Sequence, residues 1–188
     1  MNRRTFIQTN LAAAPLVVAN PAFRLGKADR SPKGFVAKAG EGRYHGHIQL
    51  TGVNANIQDV KVSGKDTDGD FALFEQTGLS PGRGVPLHIH PAQDEIFRIL
   101  DGEYHFQVGD EKHQLKAGDT IFLPRNVAHA WIQVSQTGKT LVMVQPAGKL
   151  EAFFVTMSGL KTAPTPDELA QYFADNEMRV AGPPMKPD

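Results

Sequence analysis

The sequence predicts an all-β barrel or sandwich followed by a short helical tail, and three observations carry that prediction. From residue 34 to 146, short apolar runs alternate with turn signals, the spacing of strands in a two-sheet protein. The chain holds 18 Gly and 13 Pro, many for a helical protein and consistent with frequent turns. From about residue 150 onward the apolar residues recur with a helical period instead. The 188 residues suit one domain, large enough to bury a core without covalent staples.

The first element is a leader over residues 1–28. It holds Arg3 and Arg4, no acidic side chain, and a short apolar run from Leu11 to Ala19. That run is too short to span a bilayer, which takes about 20 residues, so no stable membrane anchor is expected. A charged start before a short apolar run reads as an export signal. The string Asn2-Arg3-Arg4-Thr5-Phe6-Ile7-Gln8 resembles a twin-arginine leader, which implies export of the folded protein to the periplasm. The alternative is a cytoplasmic protein with an N-terminal arm.

The barrel is expected over residues 29–148. Its runs include Phe71 to Phe74, Glu95 to Leu100, Tyr104 to Val108, Thr120 to Leu123, Ala130 to Val134 and Thr140 to Val144. Asp68-Gly69, Asp101-Gly102, Gly109-Asp110, Gly118-Asp119 and Thr137-Gly138 supply turns between them. Adjacent large apolar residues, as in Ile96-Phe97 and Ile121-Phe122, predict strands covered on both faces.

The tail is expected over residues 149–188. Leu150, Phe153, Phe154 and Met157 form one helical stripe. Thr165-Pro166-Asp167-Glu168 then spells a helix start, with Thr165 as cap, Pro166 in the first turn and Glu168 completing a capping box. Leu169, Tyr172 and Phe173 make its apolar stripe, packed on the sheet, and Asn176 is a stop. Pro183-Pro184 is expected to end regular structure.

Composition excludes several chemistries. The chain has no cysteine, hence no disulfide, thiolate nucleophile or Cys-type metal site. Twenty basic residues balance 20 acidic ones, which argues against nucleic acid as a partner. Any metal must be held by histidine and carboxylate.

Such a set is present. Gly82-x5-His88-Ile89-His90-x4-Glu95-x6-Gly102 is followed by Gly118-x5-Pro124-x4-His129. Residues two apart in a strand share a face, so His88 and His90 project together. A bend through Pro91-Ala92-Gln93-Asp94 returns Glu95 to that face, and His129 arrives from another strand. Three imidazoles and one carboxylate suit a divalent transition metal and leave coordination positions open. Such a His-x-His-x4-Glu string arises by chance roughly 0.01 times in a chain of this composition.

These two strings resemble the paired motifs of the cupin superfamily, and the tail is similar to a group of single-domain bacterial cupins described as quercetin 2,3-dioxygenase-like. Asn126 stands where the family usually has glycine and Gln133 where it often has asparagine. Neither is a ligand, and Asn tolerates left-handed backbone. The resemblance implies a double-stranded β-helix (jelly-roll) barrel. It also implies one divalent metal (Fe, Mn, Ni, Cu, Co or Zn) on His88, His90, Glu95 and His129, and a homodimer.

The resemblance further implies a dioxygenase-type reaction on a small hydroxylated or enolisable organic substrate, with O₂ as second substrate. Glu95 would also accept a substrate proton. The alternatives are a metal-dependent isomerase or decarboxylase of a small acid or sugar, and a non-catalytic small-molecule-binding protein. Phe97 and Ile99 share strand parity with Glu95, and Trp131 and Gln133 with His129, which makes these four the candidate substrate pocket. Tyr44-His45-Gly46-His47 is a second His-x-His, but no Glu follows at a useful spacing. It reads as an exposed N-terminal strand.

Overall fold

The computed structural model describes residues 33–187; the leader expected over residues 1–28 lies outside the described residues. The chain runs β1 (Ile48–Gln49), β2 (Ile57–Val62), a 3₁₀ turn (Gly64–Asp66), β3 (Ala72–Gly78), β4 (Pro86–Ile89), β5 (Asp94–Asp101) and β6 (Glu103–Val108). It continues through β7 (Glu111–Lys116), β8 (Thr120–Leu123), β9 (His129–Gln133), β10 (Gly138–Gln145), α1 (Leu150–Ser158), α2 (Pro166–Asp175) and β11 (Arg179–Pro184).

Two antiparallel sheets result. One has six strands in the order β1-β2-β3-β10-β5-β8, the other five in the order β11-β4-β9-β6-β7. Phe74, Phe97, Ile99, Tyr104, Phe106, Val142 and Val144 are all buried in one apolar cluster between the sheets. Burying an aromatic or aliphatic side chain of this size contributes about 1.5–3 kcal/mol. This is the jelly-roll barrel that the resemblance implied.

Three local expectations are corrected. Within the six-stranded sheet, β3 and β8 are fully covered on one face only: β3 alternates buried and half-buried positions, and Phe122 on β8 is 56% exposed. The helices pack against β1, β11 and each other, so they do not cover the outer face of β8. Pro183-Pro184 does not end regular structure but lies within β11, the sheet-edge partner of β4. Proline is tolerated there because an edge strand need not donate on its outer side. His45 sits in a bend and His47 in irregular chain just ahead of β1, rather than in a strand. They face different carboxylates, Glu151 at 3.1 Å and Asp59 at 2.7 Å respectively.

The helix signals stand as written. Thr165 caps α2, and its capping box with Glu168 is complete. Asn176 follows the last helical residue, and its side-chain amide donates to the Tyr172 carbonyl at 2.9 Å. Gly102, in the turn from β5 to β6, has φ +81°, and a Cβ there would collide with the Thr137 carbonyl. Only glycine fits that turn.

Candidate metal centre

Four side chains from both sheets converge. His88 lies on β4 and His129 on β9, directly opposite in the register, with ring centroids 4.5 Å apart. His90 follows the last residue of β4. The chain then crosses to the other sheet through Pro91-Ala92-Gln93, and Glu95 enters on β5. One ligand atom from each residue lies within 4.8 Å of every other, and all four residues are buried.

The imidazole tautomers are fixed by what the Nδ1 atoms face. His88 Nδ1 lies 2.8 Å from the Pro86 carbonyl, and His129 Nδ1 lies 3.1 Å from the Val127 carbonyl. A carbonyl only accepts, so each Nδ1 carries the proton. His90 Nδ1 lies 3.0 Å from Gln93 Oε1. The Gln93 amide nitrogen is occupied, donating to the carbonyls of Pro146 at 3.2 Å and Ala147 at 2.8 Å. In each neutral ring, Nε2 is therefore a bare lone pair.

Burial opposes a positive charge on His88, and the neighbouring His129 and His90 oppose it further, so its pKa lies well below the ordinary value. His129 Nε2 has no hydrogen-bond partner although Glu95 Oε2 is 3.3 Å away. With the ring neutral, its lone pair facing a carboxylate oxygen would be repulsive, and a cation between them reverses the sign. The donor set thus fits a divalent transition metal.

The left-handed turn ahead of His129 has Asn126 at φ +65°. Its backbone N–H donates to the His90 carbonyl at 3.0 Å, which ties one ligand strand to the other.

A cavity of ≈ 60 Å³ adjoins His88, His90 and Glu95. Trp131 lines it. Phe97 does not line it but stands behind Trp131 in the core, ring centroids 5.9 Å apart, and Ile99 is fully buried in that core. Gln133 shares a face with His129 but stands four residues further along β9, about 13 Å. There its amide donates to the Ser135 carbonyl at 2.9 Å.

The rest of the wall was not anticipated. Phe153, Phe154 and Met157 of α1 and Phe173 of α2 close it, with Gln58 and Gln76 from the six-stranded sheet. The helical period of the tail marked the apolar stripe, but not that it faces the metal centre. Gln93 carried no signal at all.

Residues 76–145 match the family described as Cupin domain. Quercetin 2,3-dioxygenase of Bacillus subtilis is 29% identical over 123 residues, 65% of this chain and 34% of that protein. An oxalate-binding protein of Thermotoga maritima is 37% identical over 68 residues, 36% of this chain and 54% of that protein. The chain therefore spans about a third and about half of these two relatives. Among solved structures, the polyketide cyclase RemF from Streptomyces resistomycificus has a TM-score of 0.49 at 19% identity, covering 61% of this chain and 79% of that one. The family match and the four converging side chains together make the segment from Gln76 to Gln145 similar to a cupin domain.

Proposed function

We propose that the chain is a mononuclear metal-dependent oxygenase of the dioxygenase type, acting on a small hydroxylated or enolisable organic substrate. The observation that carries this reading is the convergence of three bare Nε2 lone pairs and one carboxylate beside an apolar cavity. A bound divalent metal would supply a binding position for a substrate oxygen and an electron path to O₂. His88, His90 and His129 hold that position through their Nε2 atoms, and the Pro86, Gln93 and Val127 oxygens keep the rings oriented. Glu95 receives the substrate proton on a carboxylate oxygen. Trp131, Phe153, Phe154 and Phe173 exclude bulk water from the reacting groups. The 29% identity to a quercetin 2,3-dioxygenase supports the reaction class.

Protein reconstituted with Fe, Mn, Ni, Cu, Co or Zn in turn is offered flavonols, enediols and diketones in an oxygen electrode. Uptake with at least one metal, absent in His129→Ala, is the result expected. No uptake with any of them removes the reading.

The 37% identity to an oxalate-binding protein favours a second reading, a non-catalytic module that holds a small molecule through the metal. Binding without product identifies it. A metal-dependent isomerase or decarboxylase would turn over under strict anaerobiosis. The lining of the cavity speaks against a multiply charged acid or sugar phosphate, because no Lys or Arg is among the described residues on its wall.

Two further readings belong to this proposal. The leader exports the folded, metal-loaded protein to the periplasm; recovery of intact Met1 from the native host removes this. The chain forms a homodimer; a monomeric mass by light scattering removes that.

A further inference from the structure

Gln58, Gln76 and Thr140 are successive register partners across β2, β3 and β10. Their side chains form one buried row. Gln58 Nε2 donates to Gln76 Oε1 at 2.7 Å, and Gln76 Nε2 donates to Thr140 Oγ1 at 3.4 Å. Both amides thus direct their N–H groups toward Thr140. That leaves Gln58 Oε1, at the other end of the row, with no partner, on a residue only 2% exposed. Buried amide oxygens are almost always satisfied, because leaving one unpaired forfeits its hydration.

Gln58 is also part of the cavity wall, among Leu50, Val85, Trp131, Phe154 and Met157. On β10, Thr140 lies opposite Gln76 while Val144 lies opposite Glu95. The glutamine row is therefore four residues, about 13 Å, along the sheet from the row that holds Glu95. The cavity has a metal-facing end and an apolar middle, and the residue that carries the unsatisfied acceptor is part of its wall.

We propose that Gln58 is a specificity-determining residue whose amide oxygen accepts a hydrogen bond from a neutral N–H or O–H on the far end of the substrate. The cavity then selects an apolar molecule with a metal-binding oxygen at one end and an uncharged donor at the other. This rests on the cavity being the substrate site of the enzyme proposed above. A site built to pair a donor discriminates strongly against the analogue that lacks it, because its own acceptor is then left unpaired.

Pyrrole and thiophene are the probes. They have nearly the same shape, but pyrrole carries an N–H and offers no lone pair to a metal, whereas thiophene donates nothing. Trp131 lines the cavity and is the chain's one tryptophan, so its fluorescence reports binding of either ring. Titrations use the full chain loaded with zinc under nitrogen, so that no turnover is involved.

Wild type should bind pyrrole about three- to tenfold more tightly than thiophene. Gln58→Met should bring the ratio to one or below while leaving thiophene binding within about twofold. Gln58→Leu serves if the Met variant does not fold, and the wild-type comparison stands without either. Equal affinities in wild type, no response to either ring, or a preference that survives removal of the amide overturns the inference. If oxygen uptake fails while the pyrrole preference holds, only the reaction class falls. If uptake succeeds while the two rings bind alike, only the role of Gln58 falls.

Discussion

The ring of Phe173 meets the ring of His88 edge to face, 5.4 Å between centroids. A residue of α2 thereby rests on a side chain of the candidate metal-binding cluster. Phe173 also packs on Phe153 at 4.9 Å, and Phe154 on Phe74 at 5.1 Å. The two helices and the barrel interior share one aromatic stack. Edge-to-face pairs of this kind add about 0.5–1.5 kcal/mol each beyond the area they bury.

Phe173→Ala should therefore destabilise the fold by about 3 kcal/mol and admit water to the site. Urea unfolding measures the first effect, and the rate of metal loss to a chelator measures the second. Unchanged unfolding and unchanged metal loss would show that α2 does not close the cavity in solution.

The convergence of His129 Nε2 on Glu95 Oε2 makes occupancy a question of stability as well as chemistry. Zinc at about a hundredfold its dissociation constant should stabilise the chain by about 2.7 kcal/mol. Thermal melts with and without metal read this as a rise in midpoint, and elemental analysis should find about one divalent ion per chain. In His129→Ala the rise should largely disappear. A wild-type midpoint indifferent to every metal offered would refute metal binding at these residues.

Gln93 acts on the site through His90 alone. Its Oε1 fixes the His90 Nδ1 proton while its amide nitrogen anchors to the loop after β10. Gln93→Ala should weaken metal binding about 10- to 100-fold. Gln93→Glu keeps an acceptor toward His90 but loses the donor toward the Pro146 and Ala147 carbonyls. It should retain more metal affinity than Ala while losing thermal stability. Competition against a chromogenic chelator separates the two; equal affinities for wild type and Gln93→Ala would refute the orienting role.

Asp66 sets an acid limit away from the metal. Burial raises its pKa, but hydrogen bonds from Arg43, the Ser63 backbone and Tyr44 outweigh this and leave it below the ordinary 3.8. A carboxylate lowered in the folded state contributes stability that is full above its unfolded pKa and lost as pH falls through its folded one. The melting gap between wild type and Asp66→Asn should therefore stay constant down to about pH 4.5 and narrow below it. A gap that widens in acid would reverse the sign of the argument.

His129 was read from its own string, Gly118-x5-Pro124-x4-His129, and His88, His90 and Glu95 were legible because their geometry is local, two-residue parity and a short bend. The start of α2 was legible for the same reason, since Thr165 and Glu168 satisfy each other within one turn. The cavity was not. Parity placed Gln133 on the correct face of β9 but says nothing of how far along the strand the site extends. Periodicity gave α1 its buried stripe without naming what covers it. Gln58 and Gln93 are unremarkable as letters, and each acquires its role only through a partner far away in sequence. The prolines of β11 argued against a strand because sequence does not reveal which strands lie at an edge.

In β11, Val180 is the register partner of His88. During synthesis, β4 therefore lacks one flanking strand until the ribosome has made residues 179–184. Pairing this distant in sequence forms late, because the intervening loop must close before any contact offsets its entropy. Full pairing of the strand that carries His88 is thereby coupled to synthesis of β11, and an emerging fragment that ends before α2 presents His88 without Val180 and Phe173 beside it.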